Sequence, residues 1–567
     1  MRMLSVIAGI IAALQMGSLS AEPMQVCVGG GDHKDTTDLA DKKQKERDFL
    51  KKIAAVKATS HEIYVRWSMV EPKQGEYDFS LQDAMMQVDA EAGLKLVPFL
   101  VIGPAYVLPE WFYKGAEKAG YVCLEHGKES DIQSLWNPEM PKYVTGMFKA
   151  YGKQYRDSTN IEATLLGISG NYGETLVPAS EPDWTQDMHG PYHAHKGWWV
   201  GDKFAQADFT KAVSQKFSDI ESLNEEWATT FTEFAQVKPR LPVDWATTAS
   251  RHFQSEWMLD SMTKYAKFCM GEAAREITGD KYIVVGGHAP AYHGFDATAQ
   301  CKDAAKLGIG VRITNENDHF EHNFSVTRIV SSACRQYGTF FSYEPAGAIT
   351  ELGVAGRVFN AVSSGVKQLH WYDNNFQTTA ALAKWEECRP FLHMAERKPI
   401  VDVAVFYPRR WMDLQEDEAL VQMYQDIGAL RNAFDLDLAD ERMLADYLSS
   451  GTLPWKYLMV RQDHLEHPQW REIVSRIEAS GKCKVVKFSK DIADPNGTRD
   501  FLRGVSNRLA PDVGFYKNVY VARMNDGATL FLNHSDQAVE LMEAYPQLVK
   551  EKRVLSPYSM AEIAGTN

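Results

Sequence analysis

Eight short apolar segments between residue 23 and about residue 375 restrict the fold of this chain more than any other feature of its sequence. They cover residues 24–30, 62–67, 94–103, 162–169, 281–287, 308–314, 338–344 and 366–373. Nearly continuous apolar strands that alternate with helical patterns are typical of a parallel sheet covered by helices. Eight such units predict the α/β class, in the form of a closed (β/α)8 TIM barrel.

The helical patterns between these strands give further expectations. Ser80, followed by an acid three residues later, has the spacing of a capping box, and Gly93 is placed to end the same helix. Two longer helices are predicted over 204–230 and 248–277. They belong to a long excursion over about 176–280, which follows the fourth strand and is the main departure from a regular barrel.

The remainder of the chain predicts two smaller domains. A second α/β pattern begins near Pro399 and indicates a flavodoxin-like, doubly wound domain. No GxGxxG motif follows its first strand, so we expect it to bind no nucleotide. The turn Asn525-Asp526-Gly527 indicates a β-hairpin in a small C-terminal β domain. The predicted boundaries are 1–21 for a signal peptide, 22–397 for the catalytic barrel, 398–508 for the flavodoxin-like domain and 509–567 for the β domain.

Charge and hydropathy argue against two classes of partner. The formal net charge is −14, and phosphate binding requires a basic face, so we expect no nucleic-acid partner. No segment reaches the ~18 uninterrupted apolar residues of a transmembrane helix, so we expect no membrane partner. Residues 1–21 combine an early arginine, a short apolar run and small residues, the pattern of a secretory signal peptide. We therefore predict a periplasmic or secreted protein.

The cysteines give no sign of a cofactor. All seven, at positions 27, 123, 269, 301, 334, 388 and 483, follow the predicted signal peptide. They form no CxxC motif and no metal-like spacing, and their odd number leaves at least one unpaired. We expect buried thiols, with some pairing left open in an oxidising compartment, and no cofactor.

Two glutamates come after strands that lie almost opposite each other in an eight-stranded ring. Glu174 follows the fourth strand, and Glu344 ends the seventh strand in front of a Pro-Ala-Gly turn. The chemistry of such barrels lies at the carboxyl ends of the strands. A retaining glycosidase needs two carboxyl groups about 5–5.5 Å apart, one to protonate the leaving oxygen and one to attack the anomeric carbon. We therefore predict Glu174 and Glu344 as the catalytic pair.

Several motifs resemble glycoside hydrolase family 42 and its barrel relatives. RWSMVEPKQGEYDFS is similar to the family's signature at strand two, LPEWF to its Pro-x-Trp after strand three, SLWNPEMPKY to the stretch before strand four, and SDIESLNEEWATTF to a helix of its excursion. The order of the three domains is also similar, so the resemblance covers most of the chain. It implies that Glu174 is the acid/base, that Glu344 is the nucleophile and that the middle domain forms a homotrimer.

The chain departs from the family pattern next to the acid/base. Gly173 stands directly before Glu174, where the family has an asparagine that holds the 2-hydroxyl, and the nearest asparagine is Asn171. An Asn-Glu pair occurs at Asn315-Glu316, but too close to Glu344 for the three barrel units required, so we interpret Glu316 as a hydroxyl-binding residue. The chain resembles a divergent branch, with near relatives that act on β-mannosides and on sulfated marine galactans.

Candidate sugar-binding residues surround the predicted pair. They are Arg66, Trp111, Asn171, Trp199, His288, Asn315, Glu316, Trp371 and Tyr372. For Trp371 the alternative is core packing, and for Arg66 a buried structural charge.

A histidine-rich loop over 187–202 contains His189, His193, His195 and Lys196. Imidazoles are good metal ligands, but the loop has no helical i,i+4 histidine pair and no nearby cysteine in the sequence, so we predict no metal. We expect the loop to cap the pocket, with Trp199 stacking on sugar and Asp202 either touching substrate or capping the next helix.

These features together predict a secreted, exo-acting, retaining β-glycoside hydrolase of the β-galactosidase type. The expected substrate is an oligosaccharide or polysaccharide, including a sulfated marine galactan such as carrageenan oligosaccharides. The alternatives are a β-mannosidase, an inverting amylase-like barrel with more widely spaced carboxylates, and a catalytically inactive carbohydrate-binding barrel.

Overall fold

The computed structural model describes residues 24–31, 38–103, 107–170, 173–177, 193, 195–286, 294–316, 318–346, 349–392, 397–409, 422–489, 504 and 516–564, without the side chains of residues 315, 316, 345 and 346.

All eight predicted apolar segments form parallel strands of one closed barrel, so the barrel prediction is confirmed. The strands of this region are β1 Gln25–Gly29, β2 Ser60–Arg66, β3 Lys95–Val101, β4 Gly120–Val122, β5 Glu129–Gln133, β6 Ala163–Gly167, β7 Asp280–Val285, β8 Gly310–Glu316, β9 Phe341–Ala346 and β10 Gln368–Tyr372. β4 and β5 form a separate antiparallel hairpin, and the other strands close in the order β1-β10-β9-β8-β7-β6-β3-β2.

Helices surround the barrel on its outer side. They are α1 Leu39–Ile53, α2 Trp67–Val70, α3 Ser80–Glu91, α4 Glu110–Tyr113, α5 Met140–Tyr155, α6 Lys203–Lys216, α7 Ile220–Trp227, α8 Thr248–Glu276, α9 Ala297–Lys306, α10 Phe320–Tyr337, α11 Glu351–Ser364 and α12 Thr379–Cys388. Strand side chains alternate between the barrel interior and this helical layer. The outward residues, such as Val65, Ile283 and Val311, share one large apolar core with the helices.

Three helix predictions can be compared with the structure. The capping box at Ser80 is wrong: Phe79 is the N-cap residue, and the Ser80 N–H donates to Asp78 Oδ1 at 2.9 Å. Gly93 follows the end of α3 with a left-handed φ of 78°, as predicted. The helix expected over 204–230 is two helices, because Phe217 is extended and the Asp219 side chain caps a new helix by accepting from Ser222 N.

The first helix of the excursion after β6, α6, has a side-chain cap. The Asp202 carboxylate accepts hydrogen bonds from the backbone N–H groups of Phe204 and Ala205, so it is the N-cap of α6. Asp202 is buried and its other oxygen accepts from Ser134 Oγ at 3.1 Å. Of the two roles considered for Asp202, the structure supports helix capping.

Beyond the barrel, the chain forms two further sheets. β11 Val403–Phe406, β12 Asp437–Ala439, β13 Tyr457–Arg461 and β14 Lys484–Phe488 make a parallel sheet in the order β12-β11-β13-β14. Its helices are α13, described over 422–431, α14 Glu441–Ser450 and α15 Pro468–Ala479. β15 Val519–Arg523, β16 Thr529–Asn533 and β19 Ser559–Ile563 form an antiparallel sheet, with β17 Val539–Glu540, α16 Leu541–Ala544 and β18 Val554–Leu555 beside it. The predicted hairpin joins β15 to β16.

Buried ion pairs join these sheets to the barrel. Asp437 on β12 pairs with Arg328 at 3.3 Å and with Arg335, and both arginines lie on α10. Arg397, which follows the barrel, donates to Asp526 and Glu562 of the C-terminal sheet at 2.7 and 2.6 Å. The contacts between the three parts of the chain are therefore charged as well as apolar.

Two expectations concern the whole chain. Among the described helices, none has the length and apolar character needed to cross a membrane. All seven cysteines lie within the described residues, where each is buried and none is in a disulfide.

Candidate active site

Glu344 lies near the carboxyl end of β9 and contacts side chains from both neighbouring strands. Arg312 of β8 forms an ion pair with Glu344 Oε2. Tyr372 of β10 donates its hydroxyl to Glu344 Oε1 at 2.5 Å. Glu344 itself is 4% exposed, so the carboxylate is nearly enclosed by the two donors. Hydrogen bonds of this kind to a charged group are stronger than neutral ones and fix its orientation.

A second buried layer lies beneath these contacts. Arg312 also donates to Glu62 of β2, and His370 of β10 lies 3.1 Å from the same carboxylate. Burial alone would raise the pKa of Glu62, but Arg312 and His370 outweigh it and lower this pKa to about 2. For Arg312, burial opposes the charge, while Glu344 and Glu62 raise its pKa well above the usual value. Arg312 therefore stays cationic between two carboxylates.

A third layer of polar contacts crosses the amino-terminal end of the barrel. Glu162, which precedes β6, accepts from Ser60 Oγ at 2.7 Å and from Gln368 Nε2 at 2.9 Å. Ser342 donates to Gln368 Oε1 at 3.1 Å, which extends the same network to β9. The strands that carry Glu344 and Tyr372 are thus held from below by hydrogen bonds.

The opposite side of the barrel interior is apolar. Val97, Phe99, Leu165 and Val284, from β3, β6 and β7, form a buried cluster of their own inside the barrel. The Arg312 guanidinium lies over the Phe99 ring, 5.4 Å from its centroid. Such an apolar wall lowers the local dielectric and strengthens the charged contacts on the other side.

Glu174 is positioned by a tight turn after β6. The Gly170 N–H donates to the Glu174 carbonyl at 2.5 Å, and the Thr175 N–H donates to Val284 O of β7 at 3.0 Å. The Thr175 hydroxyl donates to Gln300 of α9 at 2.7 Å. A Cβ on Gly170 would lie 2.5 Å from Glu174 Oε2, so the Glu174 side chain lies close to this glycine. Glu174 is 9% exposed. The chain therefore returns to the barrel rim at this acid.

Gly173 is required by the geometry of that turn. Its φ is +94°, and a Cβ at this position would lie 2.5 Å from the Gly167 Cα atom. An L-residue is disfavoured on both counts. The local backbone therefore accounts for glycine at the place where the resembling family has asparagine.

Both glutamates lie on the same rim of the barrel. Val284, which accepts from the residue after Glu174, is paired in register with Arg312. Arg312 is paired with Ser342, two residues before Glu344. The two acids thus belong to the carboxyl ends of strands from the fourth and seventh barrel units, where the sequence predicted them.

No family model matches this sequence. A curated relative, the thermophilic β-amylase of Thermoanaerobacterium thermosulfurigenes, is 21% identical over 222 residues, which are 37% of this chain and 39% of that protein. The chain thus spans about two fifths of the length of this relative.

Two solved structures are similar in fold. The β-galactosidase of the psychrophilic Marinomonas ef1 has a TM-score of 0.66 at 11% identity, over 96% of this chain and 100% of that one. The β-amylase catalytic domain of Paenibacillus polymyxa has a TM-score of 0.53 at 17% identity, over 64% of this chain and 95% of that one. At sequence identities this low, the structural similarity shows a shared fold alone.

Several predicted binding residues do not reach the site in the expected way. Trp371 is fully buried on the outside of β10, where it packs against Phe376 and Trp385, so the prediction of a sugar platform is replaced by the core-packing alternative. Successive strand residues face opposite sides, and Tyr372 occupies the inner side. Trp199 is also fully buried, with Nε1 donating to His195 O at 3.0 Å, so it offers no exposed face for stacking.

The other candidates have varied positions. Trp111 is half-buried against Trp67 and donates to the Glu71 carbonyl at 2.9 Å. Arg66 ends β2 on its inner side, with its guanidinium 5.6 Å from the Tyr64 ring centroid. Asn171, His288 and His189 lie outside the described residues. Asn315 and Glu316 are the last two residues of β8, and the structure describes their backbone without their side chains.

The motif after strand two has a structural explanation. The Glu71 carboxylate accepts from Trp67 Nε1 at 2.6 Å and from Gly75 N at 2.7 Å, and Glu71 is buried. Gly75 has a left-handed φ of 79°. Glu71 thus closes the turn between α2 and α3, and its carboxylate is used by that turn.

Four residues of the site were not predicted: Arg312, Glu62, Tyr64 and His370. Tyr64 lies 3.3 Å from Tyr372, oxygen to oxygen. Each of the four interrupts an apolar strand with a polar side chain, which is costly unless the group is paired. That pattern was visible in the sequence, but only the barrel register shows which side chains meet.

Proposed function

We propose that this protein is a retaining β-glycoside hydrolase with Glu344 as nucleophile and Glu174 as acid/base. The observation that carries the proposal is the pair of donors on Glu344: Arg312 and Tyr372 hold a nearly buried carboxylate at the carboxyl end of a barrel strand. The similarity in fold to a β-galactosidase and a β-amylase supports the coarser conclusion of a glycosidase.

The proposed reaction has two displacements. A Glu344 oxygen forms a bond to the anomeric carbon while the glycosidic C–O bond breaks, and Glu174 gives its proton to the departing oxygen. Glu174, now ionised, then takes a proton from water, whose oxygen bonds to the anomeric carbon and releases Glu344. Each residue returns to its first state.

The network around Glu344 has a positioning role in this proposal. Arg312 is held by Glu62, so its guanidinium cannot follow the Glu344 oxygen as that oxygen becomes part of an ester. The Tyr372 hydroxyl keeps the other carboxylate oxygen in place. A nucleophile that is fixed before substrate binds loses little freedom on reaching the transition state.

The proposed substrate is a β-galactoside at the end of a glycan chain, including sulfated galactan oligosaccharides. A β-mannoside is the alternative substrate. We also propose secretion, a flavodoxin-like domain over 398–508, a β domain over 509–567 and a homotrimer. These proposals rest on the sequence motifs, and the similarity to a β-galactosidase over 96% of the chain supports the domain order.

The catalytic roles are tested with Glu174→Ala, Glu344→Ala and the exposed control Glu225→Ala, which lies on α7. Turnover of nitrophenyl β-glycosides and marine oligosaccharides should fall by at least about 10³-fold in the first two variants and stay unchanged in the control. Azide should restore turnover in both, with a β-glycosyl azide from Glu174→Ala and an α-glycosyl azide from Glu344→Ala. Equal turnover in all four proteins would remove the proposed roles.

An inverting amylase-like reaction is the second candidate. It is favoured by one observation, the sequence similarity to a β-amylase at 21% identity. In that reaction the second carboxylate activates water instead of attacking the sugar. Proton NMR of the first product distinguishes the two: a β-glycoside gives a β-product by retention and an α-product by inversion, and turnover of starch oligosaccharides alone would favour the amylase. Binding without turnover of any substrate would favour the carbohydrate-binding barrel.

A further inference from the structure

Four metal-ligating side chains meet outside the glutamate site. Cys123 and His126 lie in the turn between β4 and β5, and His193 and His195 lie in the segment that leads into α6. One donor atom from each residue can be chosen so that all four lie within 4.8 Å of one another. Cys123 lies 70 residues before His193 in the sequence, in a different loop, so only the fold brings it to the histidines.

Three of the six distances within this Cys-His cluster are close to those of a tetrahedral ligand set. Cys123 Sγ is 3.7 Å from His126 Nδ1 and 3.4 Å from His193 Nε2, and His126 Nδ1 is 3.2 Å from His195 Nε2. Zinc–nitrogen bonds of about 2.0–2.1 Å and a zinc–sulfur bond of about 2.3 Å give tetrahedron edges of about 3.4 Å between nitrogens and about 3.6 Å from sulfur to nitrogen. The three distances in the structure agree with these lengths to within a few tenths of an ångström.

The orientation of one imidazole is fixed from outside the cluster. His195 Nδ1 lies 2.8 Å from the carbonyl oxygen of Lys196. When Nδ1 donates to this carbonyl, Nε2 has no proton, and its lone pair is directed at the other three ligands. A backbone carbonyl on the second ring nitrogen is the usual partner of a histidine that binds a metal. The Trp199 ring packs against His195 with centroids 4.8 Å apart, which further restricts the imidazole.

Backbone hydrogen bonds hold the two contributing segments together. Leu124 N donates to Trp198 O, and Gly201 N donates to Val122 O, both at 2.8 Å. The Glu125 carboxylate accepts from Trp198 N at 2.8 Å. The ligands therefore project from two segments that are hydrogen-bonded to each other, and Cys123 is 1% exposed between them.

Two other groups of potential ligands are less suited to a cation. Glu62 and His370 lie beside Cys27, but the Arg312 guanidinium already binds Glu62 and opposes a second positive charge. His61 lies between Glu46 and Asp89, 2.9 and 3.2 Å away, and the two carboxylates raise the pKa of its buried imidazole well above the usual value although burial opposes this. A protonated imidazole is not a ligand.

We propose that Cys123, His126, His193 and His195 bind one zinc ion as a closed structural site. On binding, the Cys123 thiol loses its proton to solvent and the three imidazoles bind through their unprotonated nitrogens. Four protein ligands leave no position for water or substrate, which is the arrangement of structural rather than catalytic zinc. The ion would join the hairpin after the third barrel strand to the segment before α6, within the excursion after the fourth strand.

Metal content tests the proposal in the full chain. The protein is incubated with zinc chloride and dialysed against metal-free buffer, and zinc is measured by mass spectrometry. We expect roughly one zinc per chain in the wild type and in the control Cys483→Ser, and less than about a tenth of that in Cys123→Ser and His195→Ala. His126→Gln, at an exposed position, is the second variant if Cys123→Ser fails to fold.

Cobalt substitution gives a second readout that is independent of activity. The wild type should show the intense visible bands of tetrahedral cobalt together with a sulfur-to-cobalt charge-transfer band, and Cys123→Ser should lose the latter. A wild type that retains no zinc overturns the proposal. Zinc content that is unchanged in both Cys123→Ser and His126→Gln places the ion elsewhere and also overturns it.

Discussion

A single hydroxyl group accounts for half of the polar support of Glu344. Tyr372 donates to one carboxylate oxygen while Arg312 pairs with the other. Burial, Glu344 and Tyr64 raise the pKa of Tyr372 well above its usual value, so the phenol keeps its proton and remains a donor at neutral pH. Loss of the Tyr372 hydroxyl would remove a neutral hydrogen-bond donor from Glu344, whereas loss of Arg312 would remove a positive charge.

Tyr372→Phe removes the hydroxyl and leaves the ring in place. Because a hydrogen bond to a charged group contributes about 1.5–3 kcal/mol, kcat should fall roughly 10- to 100-fold with little change in KM. Tyr64→Phe is the matched control, since it removes a neighbouring hydroxyl that lies 3.3 Å from the Tyr372 hydroxyl. Steady-state kinetics on the best nitrophenyl glycoside measures both, and an equal loss in the two variants would contradict the role of Tyr372.

Glu62 predicts a dependence of stability on pH. Its folded pKa of about 2 is below the ordinary value of about 4.3 for glutamate. A lowered pKa stabilises the fold above the unfolded pKa, and this contribution is lost as the pH falls from about 4 toward 2. It amounts to about 3 kcal/mol at neutral pH. Wild type should therefore have a higher Tm than Glu62→Gln at about pH 6, and the difference should narrow toward pH 2.5 in scanning calorimetry; a constant difference is the contrary result.

At the scale of elements, close helix contacts depend on glycine. A Cβ on Gly152 of α5 would lie 2.0 Å from Glu276 O at the end of α8. A Cβ on Gly271 of α8 would have no atom within 4 Å apart from the backbone of its own helix. Two glycines of similar local conformation thus have opposite surroundings.

Gly152→Ala and Gly271→Ala should change stability in opposite directions. The first forces α5 away from α8 and should destabilise by about 1–3 kcal/mol, whereas the second should stabilise by up to about 1 kcal/mol because alanine is the better helix former. Thermal unfolding of both variants beside wild type measures the sign. A Gly152→Ala protein as stable as wild type would show that the helices separate at no cost.

The elements also show how far sequence patterns reach. The strands were predictable because each is a continuous apolar run, and the turn at Asn525-Asp526-Gly527 because its chemistry is local. The capping box at Ser80 failed because the chain enters α3 through Phe79, and Asp78 binds the first N–H. Whether a strand residue faces the interior depends on register, so Tyr372 and Trp371 could not be assigned from spacing alone.

At the scale of the whole molecule, Asp437 links the barrel to the middle sheet. Burial raises the pKa of Asp437, but Arg335 and Arg328 outweigh this and lower it. Its other oxygen accepts from Trp455 Nε1 at 2.9 Å. Asp446 makes a comparable link to Lys302 and Tyr337, but with side chains that are partly exposed.

Asp437→Asn should uncouple the two regions, because it removes the negative charge that pairs with both Arg328 and Arg335. Arg328 then retains its ion pair with Asp435 at 2.9 Å. The expected destabilisation is about 3–5 kcal/mol, and the calorimetric transition should divide into two. Asp446→Asn, the control, should lose no more than about 1 kcal/mol. A single, unshifted transition in Asp437→Asn would mean that apolar contacts alone hold the regions together.

The positions of Glu174 and Glu344 were more predictable than their surroundings. Glu174 and Glu344 stand out because one is an acid in the turn after an apolar strand and the other an acid near the end of such a strand, and the barrel brings such positions to one rim. Arg312 and Cys123 were not found, because their partners lie in distant parts of the chain. Their chemistry depends on contacts that arise only when the barrel closes.

The charged interior has a consequence for how the molecule assembles. Glu62 and Arg312 are 250 residues apart in the sequence, and each supplies the opposite charge that the other needs in the buried layer they share. An amino-terminal half that ends before β8 would expose an unsatisfied carboxylate at its centre, so it should not persist as a folded fragment. We therefore expect the barrel to fold late and in one cooperative step. Glu62 on β2 should stay hydrated until β8, which carries Arg312, has been synthesised.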